Sequence, residues 1–293
     1  MKSILLLLIP LVSFSFGGVS AQAIVNSTER SCSICIKGMH LEGSPYDFSI
    51  KSEWPFLAVG AISTAAGIVA QSINHPTAFT DAELMNLDRQ DIFFVDRGAA
   101  NNWSPASARA SDIVRSTSIL LPAFFLTNHH TKKEISMLLV MSLEVLTTNF
   151  GATQLVKNIV NRARPFTYNT DLLFTTRSKK NDKLSFFSGH TSHTAAFSFF
   201  IAKVLTDYHP NARNKFKAIV WSIAVVIPAS TAVLRVKAGK HFPTDVIAGY
   251  VVGASIGYLI PQLHKRKKRK LNNLSIIPIF NGNGGGVRIG YGF

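Results

Sequence analysis

Acidic side chains are scarce in this chain. Its 293 residues hold 16 aspartates and glutamates against 31 lysines and arginines, a formal net charge of +15. Such an imbalance points to anionic partners. Nucleic acid is set aside, because no interleaving of basic and aromatic residues and no recognisable nucleic-acid module accompanies the charge. Cysteine is nearly absent too. Cys32 and Cys35 are the only pair, and as a C-x-x-C they suit a local disulfide better than a metal site, which needs two further ligands nearby. No cluster of carboxylates and histidines has metal-ligand spacing, so neither a metal nor a cofactor is expected. Charge is missing altogether from Trp54 to Thr80.

Apolar residues make up 47% of the chain, with a mean hydropathy of +0.20, between soluble and strongly membrane-embedded proteins. Lys2, an apolar core from Ile4 to about Phe16 and the triplet Ala21-Gln22-Ala23 predict a secretory signal over residues 1–23. Residues 24–53 form a polar segment around the C-x-x-C. Residues 75–115 read as a long polar connection with short helical pieces. Apolar segments fall at about 55–73, 116–128, 135–156, 190–206, 218–234 and 246–263. Several are marginal for a hydrocarbon core of roughly 30 Å, which needs about 20 residues. Gly249, Gly253 and Gly257 form a small-residue stripe in the last, suited to close approach of a neighbouring helix. An all-α multi-helix bundle over 54–263 is expected, associated with a membrane. Residues 264–293 then read as a basic segment and a short C-terminal β-hairpin around a glycine-rich turn.

Three polar clusters stand out. Ser188-Gly189-His190 opens an apolar run, and a helix start there leaves backbone N–H groups free to seat an anion. Lys157 and Arg164 lie seven residues apart, on one face if a helix continues that far, although Pro165 disfavours helix at Arg164. Arg235 precedes His241, and Pro243 places His241 just before a helix and Asp245 in its first turn. A carboxylate so placed can hold one imidazole nitrogen and aim the other at a substrate. Each cluster alone also fits a structural role: a packed histidine, cations completing a helix C-terminus, an aspartate favouring an N-terminus.

In order and spacing, the three clusters together resemble the signature of the type 2 phosphatidic acid phosphatase family, which shares its site with bacterial acid phosphatases and vanadium haloperoxidases. Phe187 stands where that family has proline, and Leu234 where it has serine. The resemblance implies a metal-independent phosphatase with a bundle of the acid phosphatase/haloperoxidase type. His241 would attack phosphorus to give a phosphohistidine, with Asp245 fixing its tautomer. His190 would protonate the leaving oxygen and then activate water. Lys157, Arg164, Arg235, Ser188 and the Gly189 amide would clamp the phosphate oxygens. The expected substrate is a lipid phosphate, or a diphosphate. The other readings are a soluble periplasmic acid phosphatase acting on small esters, a non-catalytic lipid-binding membrane protein and a vanadate haloperoxidase. Oligomeric state is open.

Basic residues orient the bundle. Lys132 and Lys133, then Arg213, Lys215 and Lys217, then KRKKRK at 265–270 all fall on one side of alternating helices. That side is cytoplasmic by the positive-inside rule, which puts the three clusters on the periplasmic side. Residues 157–183 hold seven basic and two acidic residues, a field that draws anions. A cleaved signal followed by six crossings gives the opposite orientation, so the two expectations conflict.

Overall fold

A computed structural model describes residues 44–47, 50–74, 77–126, 129–265, 274–281 and 284–291. The expected signal sequence, Cys32 and Cys35, and KRKKRK beyond Lys265 lie outside these residues. The helices are α1 (Ile50–Asn74), α2 (Asp81–Met85), α3 (Pro105–Leu120), α4 (His129–Lys132), α5 (Ile135–Val160), α6 (Phe174–Arg177), α7 (Gly189–Tyr208), α8 (Asn214–Lys237) and α9 (Pro243–His264). Strands β1 (Leu274–Asn281) and β2 (Gly284–Tyr291) pair antiparallel, with Leu274 opposite Tyr291 and Asn281 opposite Gly284. The fold is an all-α bundle with a terminal hairpin.

Helix starts follow the cap chemistry. Ser104 caps α3, with its hydroxyl accepting from Ser107 N at 3.2 Å and Pro105 in the first turn. Ser188 caps α7, and Pro243 opens α9. α5 stops at Val160, where Asn161 takes the left-handed conformation (φ 46°) that ends many helices. Lys157 and Arg164 therefore do not share a helix face, and Arg164 sits in extended backbone beyond the helix. The stretch expected at 116–128 also differs. Its helix begins at Pro105, inside the polar connection, and runs into a 3-10 turn over Leu121–Leu126. α3 hides its buried face from a hydropathy reading because that face carries Ser111 and Ser118 rather than large apolar residues.

α7 is the central helix, buried along most of its length. The glycine stripe of α9 lies on it. A Cβ at Gly249 would come within 2.5 Å of the Ser188 carbonyl oxygen, and Cβ atoms at Gly253 and Gly257 within 2.0 Å of those of Ser192 and Ala196. α1 runs parallel to α5: Gly60 meets Thr147, Gly67 meets Gln154, and Asn74 Nδ2 donates to Asn158 O at 2.5 Å. An apolar core of Phe125, Leu138, Met141, Phe197, Phe200 and Val204 fills the lower half. Residues 44–47 are tied beneath it. Ser44 Oγ donates to Glu134 at 2.6 Å, Tyr46 Oη to Asp207 at 3.0 Å, and Asp47 N to His264 O at 3.1 Å.

α1 therefore climbs from this end, α3 descends, α5 climbs, α7 descends, α8 climbs and α9 descends. Four segments, in α1, α5, α8 and α9, are long and apolar enough to cross a membrane. Their outward faces expose Ile62, Ile73, Leu143, Ile223, Val226, Ile247 and Val251, among others, while Asn149, Ser192, Thr194 and Thr231 are buried. An exposed apolar belt of this extent suits lipid rather than water.

Candidate active site

At the upper end, the C-termini of α5 and α8 meet the N-termini of α7 and α9, and residues 77–104 and 161–188 close over them. All three sequence clusters come together here. Lys157 and Arg164 converge on one backbone atom: Lys157 Nζ donates to Leu184 O at 2.7 Å and Arg164 Nη2 to the same oxygen at 3.4 Å. Arg164 is fixed further by Nε on Asn181 O at 2.8 Å and Nη1 on Lys240 O at 3.0 Å. Backbone carbonyls thus aim both cations. Gly189 lies against Thr153 and the Lys157 stem, since a Cβ there would be 3.0 Å from Thr153 Cγ2 and 3.8 Å from Lys157 Cε.

His241 is buried. Its Nδ1 lies 2.8 Å from Ser185 O, and a carbonyl can only accept, so Nδ1 carries the proton and Nε2 keeps its lone pair. Asp245 was expected to make this contact. Its Oδ2 is 3.7 Å from Nδ1 instead, beyond hydrogen-bond range, because the carboxylate is engaged elsewhere. It accepts from Arg162 Nη1 at 2.6 Å, Ser185 Oγ at 2.5 Å and Phe242 N at 2.9 Å. Asp245 so positions the 185 and 242 backbone on either side of the ring. Arg162 continues to Asp96, with Nη2 to Oδ2 at 2.8 Å. Asp96 also accepts from Thr244 N at 3.0 Å and Thr244 Oγ1 at 2.5 Å. Both aspartates are fully buried.

Ser188 points its hydroxyl at Thr191 and its N–H at Asp245 O, 3.0 Å away. This bond holds the turn in which Phe187, itself buried, replaces the family's proline. His190 Nε2 is 2.7 Å from Asp112 Oδ1 on α3. Arg235 Nη1 reaches Ser111 Oγ at 3.2 Å and Asp112 Oδ1 at 3.4 Å. A hydroxyl from α3 thus meets Arg235, although Leu234 leaves none beside it.

Electrostatics follow from this crowding of cations. Burial first, then Arg164, Lys157 and Arg235, hold His241 well below the ordinary histidine range. Burial, Arg235, Arg115, His241 and Arg164 do the same for His190. Lys240, over the Phe166 ring at 4.2 Å and the Trp103 ring at 4.9 Å, is pushed down to about 8 by burial and Arg164. The site therefore presents neutral imidazoles inside a cationic clamp, which suits attack on a bound phosphate.

Sequence reading missed Arg162, Asp96, Ser185, Thr244, Ser111 and Asp112. Arg162 carried a signal, lying two residues before Arg164 in the same basic motif. Asp96 carried none, since it joins Asp245 from 149 positions away, through Arg162 and Thr244.

The model of the PAP2 superfamily matches residues 134–269. Lipid A 4'-phosphatase of Porphyromonas gingivalis is 26% identical over 161 residues, 54% of this chain and 63% of that one. Phosphatidylglycerophosphatase B of Bacillus subtilis is 35% identical over 85 residues, 29% of this chain and 41% of that one. The matched stretches thus span less than two thirds of either relative. Among solved structures, a transmembrane PAP2 type phosphatidylglycerolphosphate phosphatase from Bacillus subtilis aligns with a TM-score of 0.45 at 22% identity, covering 75% of this chain and 100% of that one.

Proposed function

Given a chain that belongs to the PAP2 superfamily through residues 134–269, we propose that it is a membrane phosphatase that releases phosphate from lipid phosphates through a phosphohistidine. The observation that carries this reading is His241. It is buried and neutral, with Nδ1–H committed to Ser185 O and Nε2 free among Lys157, Arg164 and Arg235.

The phosphate sits between those three cations, with Ser188 and the Gly189 N–H completing the cradle. Nε2 of His241 bonds to phosphorus as the bond to the lipid oxygen breaks. The bound dianion draws His190 toward its cationic form, and His190 gives that proton to the departing oxygen. Water then attacks phosphorus and passes a proton to His190, and the N–P bond breaks to restore neutral His241. The substrates that the relatives are named for, the lipid A 4'-phosphate and phosphatidylglycerophosphate, belong to the lipid phosphate class proposed for this chain. The apolar belt favours such substrates over small soluble esters.

The site faces the periplasm in this proposal. The basic links at 132–133 and 213–217 and Lys265 lie at the opposite end of the bundle, with residues 44–47. With α1 as a full crossing, residues 44–47 are then cytoplasmic, so the segment before them does not deliver them to the periplasm. Labelling single cysteines at positions 47 and 173 with an impermeant reagent tests the orientation; labelling at 47 alone in intact cells overturns it. Activity is tested by phosphate release from phosphatidate, phosphatidylglycerophosphate and an aryl phosphate, with wild type and His241→Ala. Lipid-selective release lost in the variant is expected. Release mainly from the aryl ester, or release that survives in the variant, defeats the reading.

A further inference from the structure

The segment between α2 and α3 carries an apolar surface that the site does not use. Ile92 is buried in a cluster with Phe242, and Asp96 is fully buried, yet Phe93, Phe94 and Val95 between them are 54%, 70% and 47% exposed. Hydrogen bonds hold this display in place. Arg97 Nε donates to Ile92 O at 2.8 Å and Nη2 to Gln90 O at 2.8 Å, and Asp96 N donates to Phe93 O at 2.8 Å. The two phenyl rings lie against each other, with centroids 4.6 Å apart. Large aromatic side chains fixed in water are unfavourable unless something apolar covers them.

Position says what covers them. Asp96 accepts from Thr244 N at 3.0 Å and from Thr244 Oγ1 at 2.5 Å, so the segment is bolted to the first turn of α9. Thr244, Ile247 and Val251 follow at i, i+3 and i+7 down one face of that helix, and Ile247 and Val251 belong to the exposed apolar belt. Val236, in the last turn of α8, packs against the Ile92 cluster, and Val233, one turn lower, is exposed as well. Phe93, Phe94 and Val95 therefore continue the belt past the helix ends, at the level where aromatic side chains meet lipid headgroups. The neighbouring charges, Asp88, Arg89, Asp91 and Arg97, cancel. Apolar contact, not attraction to anionic lipid, is the chemistry of this surface.

We propose that Phe93, Phe94 and Val95 form a wedge that enters the leaflet on the site side of the bilayer and loosens lipid packing beside the phosphate clamp, easing the passage of a lipid phosphate out of the leaflet. Insertion does not depend on the chemistry of the site; its use in substrate transfer rests on the phosphatase reading above. Asp96 gives the wedge a fixed place. The carboxylate that takes Thr244 also takes Arg162 Nη2 at 2.8 Å, and Arg162 holds Asp245, so the rings stand at a set distance from the residues that meet phosphate. A substrate that arrives from water as a monomer has no need of the wedge.

The test uses full-length protein in lipid discs. Phe94→Trp is read as the emission it adds to that of the native Trp54, Trp103 and Trp221, against lipids brominated near the headgroup or near the chain end, and against aqueous iodide. Quenching of the added emission by the shallow bromines, with little by iodide, is expected in neutral and anionic discs alike. Quenching by iodide alone leaves the rings in water, as on a surface that meets another protein, and overturns the wedge. Phosphate release gives the second readout. Phe93→Ser combined with Phe94→Ser should lower kcat/KM about tenfold on long-chain phosphatidate in the discs, mainly through KM, and by less than about twofold on a short-chain phosphatidate dissolved as monomers. Phe94→Ser alone serves if the pair does not fold. Equal losses on both substrates, or no loss on either, overturns the proposal and leaves the phosphatase reading standing. A wild type that releases phosphate from neither substrate defeats the phosphatase reading and with it the transfer role, while quenching still decides insertion.

Discussion

Both ends of the bundle bury charge, and they dispose of it differently. At the lower end Asp207 accepts from Tyr46, Lys203 and Lys265, and Glu134 from Ser44 and Tyr208. Asp207 meets two lysines and Glu134 two hydroxyls, so each carboxylate is matched by donors, and the result clips residues 44–47 to α5, α7 and α9. At the upper end, among the described residues, Lys157 and Arg164 donate to neutral carbonyls, and Arg235 keeps a buried Nε with no partner. Carbonyls orient a guanidinium without cancelling its charge. A matched network stabilises the fold and asks for nothing more, whereas an oriented surplus is complete only with an anion in place.

The comparison is broken most severely by His241→Ala. Phosphate release should fall by about 10⁴-fold or more, since the residue proposed as nucleophile is removed, with little change in unfolding temperature. Arg162→Met should come next and should affect both properties. It leaves two buried aspartates facing each other, costing about 3 kcal/mol in denaturant unfolding, and slackens the Asp245 frame enough to cost about a hundredfold in turnover. Arg162→Lys should not rescue it, because one ammonium cannot span Asp96 and Asp245.

Acid should sharpen the contrast. His190, His193 and His241 are held below their ordinary values in the fold but titrate near 6.5 when unfolded. Below that pH the unfolded chain binds more protons. Stability is thus complete at neutral pH and falls as pH drops through about 6.5 toward 5, by about 1 kcal/mol per pH unit for each histidine. Substituting glutamine at His241 should flatten the slope by one histidine's share; an identical slope refutes the assignment. The smallest effect belongs to the lower end. Tyr46→Phe removes its bond to Asp207 and should cost about 1 kcal/mol of stability, with turnover within twofold of wild type. A large loss of turnover there would show the two ends to be coupled.

What the sequence disclosed tracks how local the chemistry is. That Ser188, Gly189 and His190 open one helix, and that His241 and Asp245 flank the start of another, was legible because caps, a proline and fixed spacings act within a turn or two. The stripe Gly249, Gly253, Gly257 was legible as a contact face, though not that α7 would supply the partner. α3 was misjudged because its buried side is serine, and hydropathy cannot see a helix that packs through small polar residues. Asp245's true partners were hidden for another reason. A carboxylate in a first helical turn suggests its i−4 histidine, but Arg162 and Ser185 arrive from loops whose course only the tertiary fold decides.

The glycines of α9 have a consequence for the chemistry above them. Gly249 seats the Ser188 carbonyl with no room for even a methyl group, and Ser188 N in turn holds Asp245 O at 3.0 Å. His190 on α7 and His241 at the head of α9, the proposed acid and nucleophile, are therefore spaced by a close helix contact. Catalytic alignment becomes a gauge of that contact. Whatever wedges the two helices apart by a fraction of an ångström, a mutation or a change in lateral pressure of the bilayer, should register as lost turnover before it registers as lost structure.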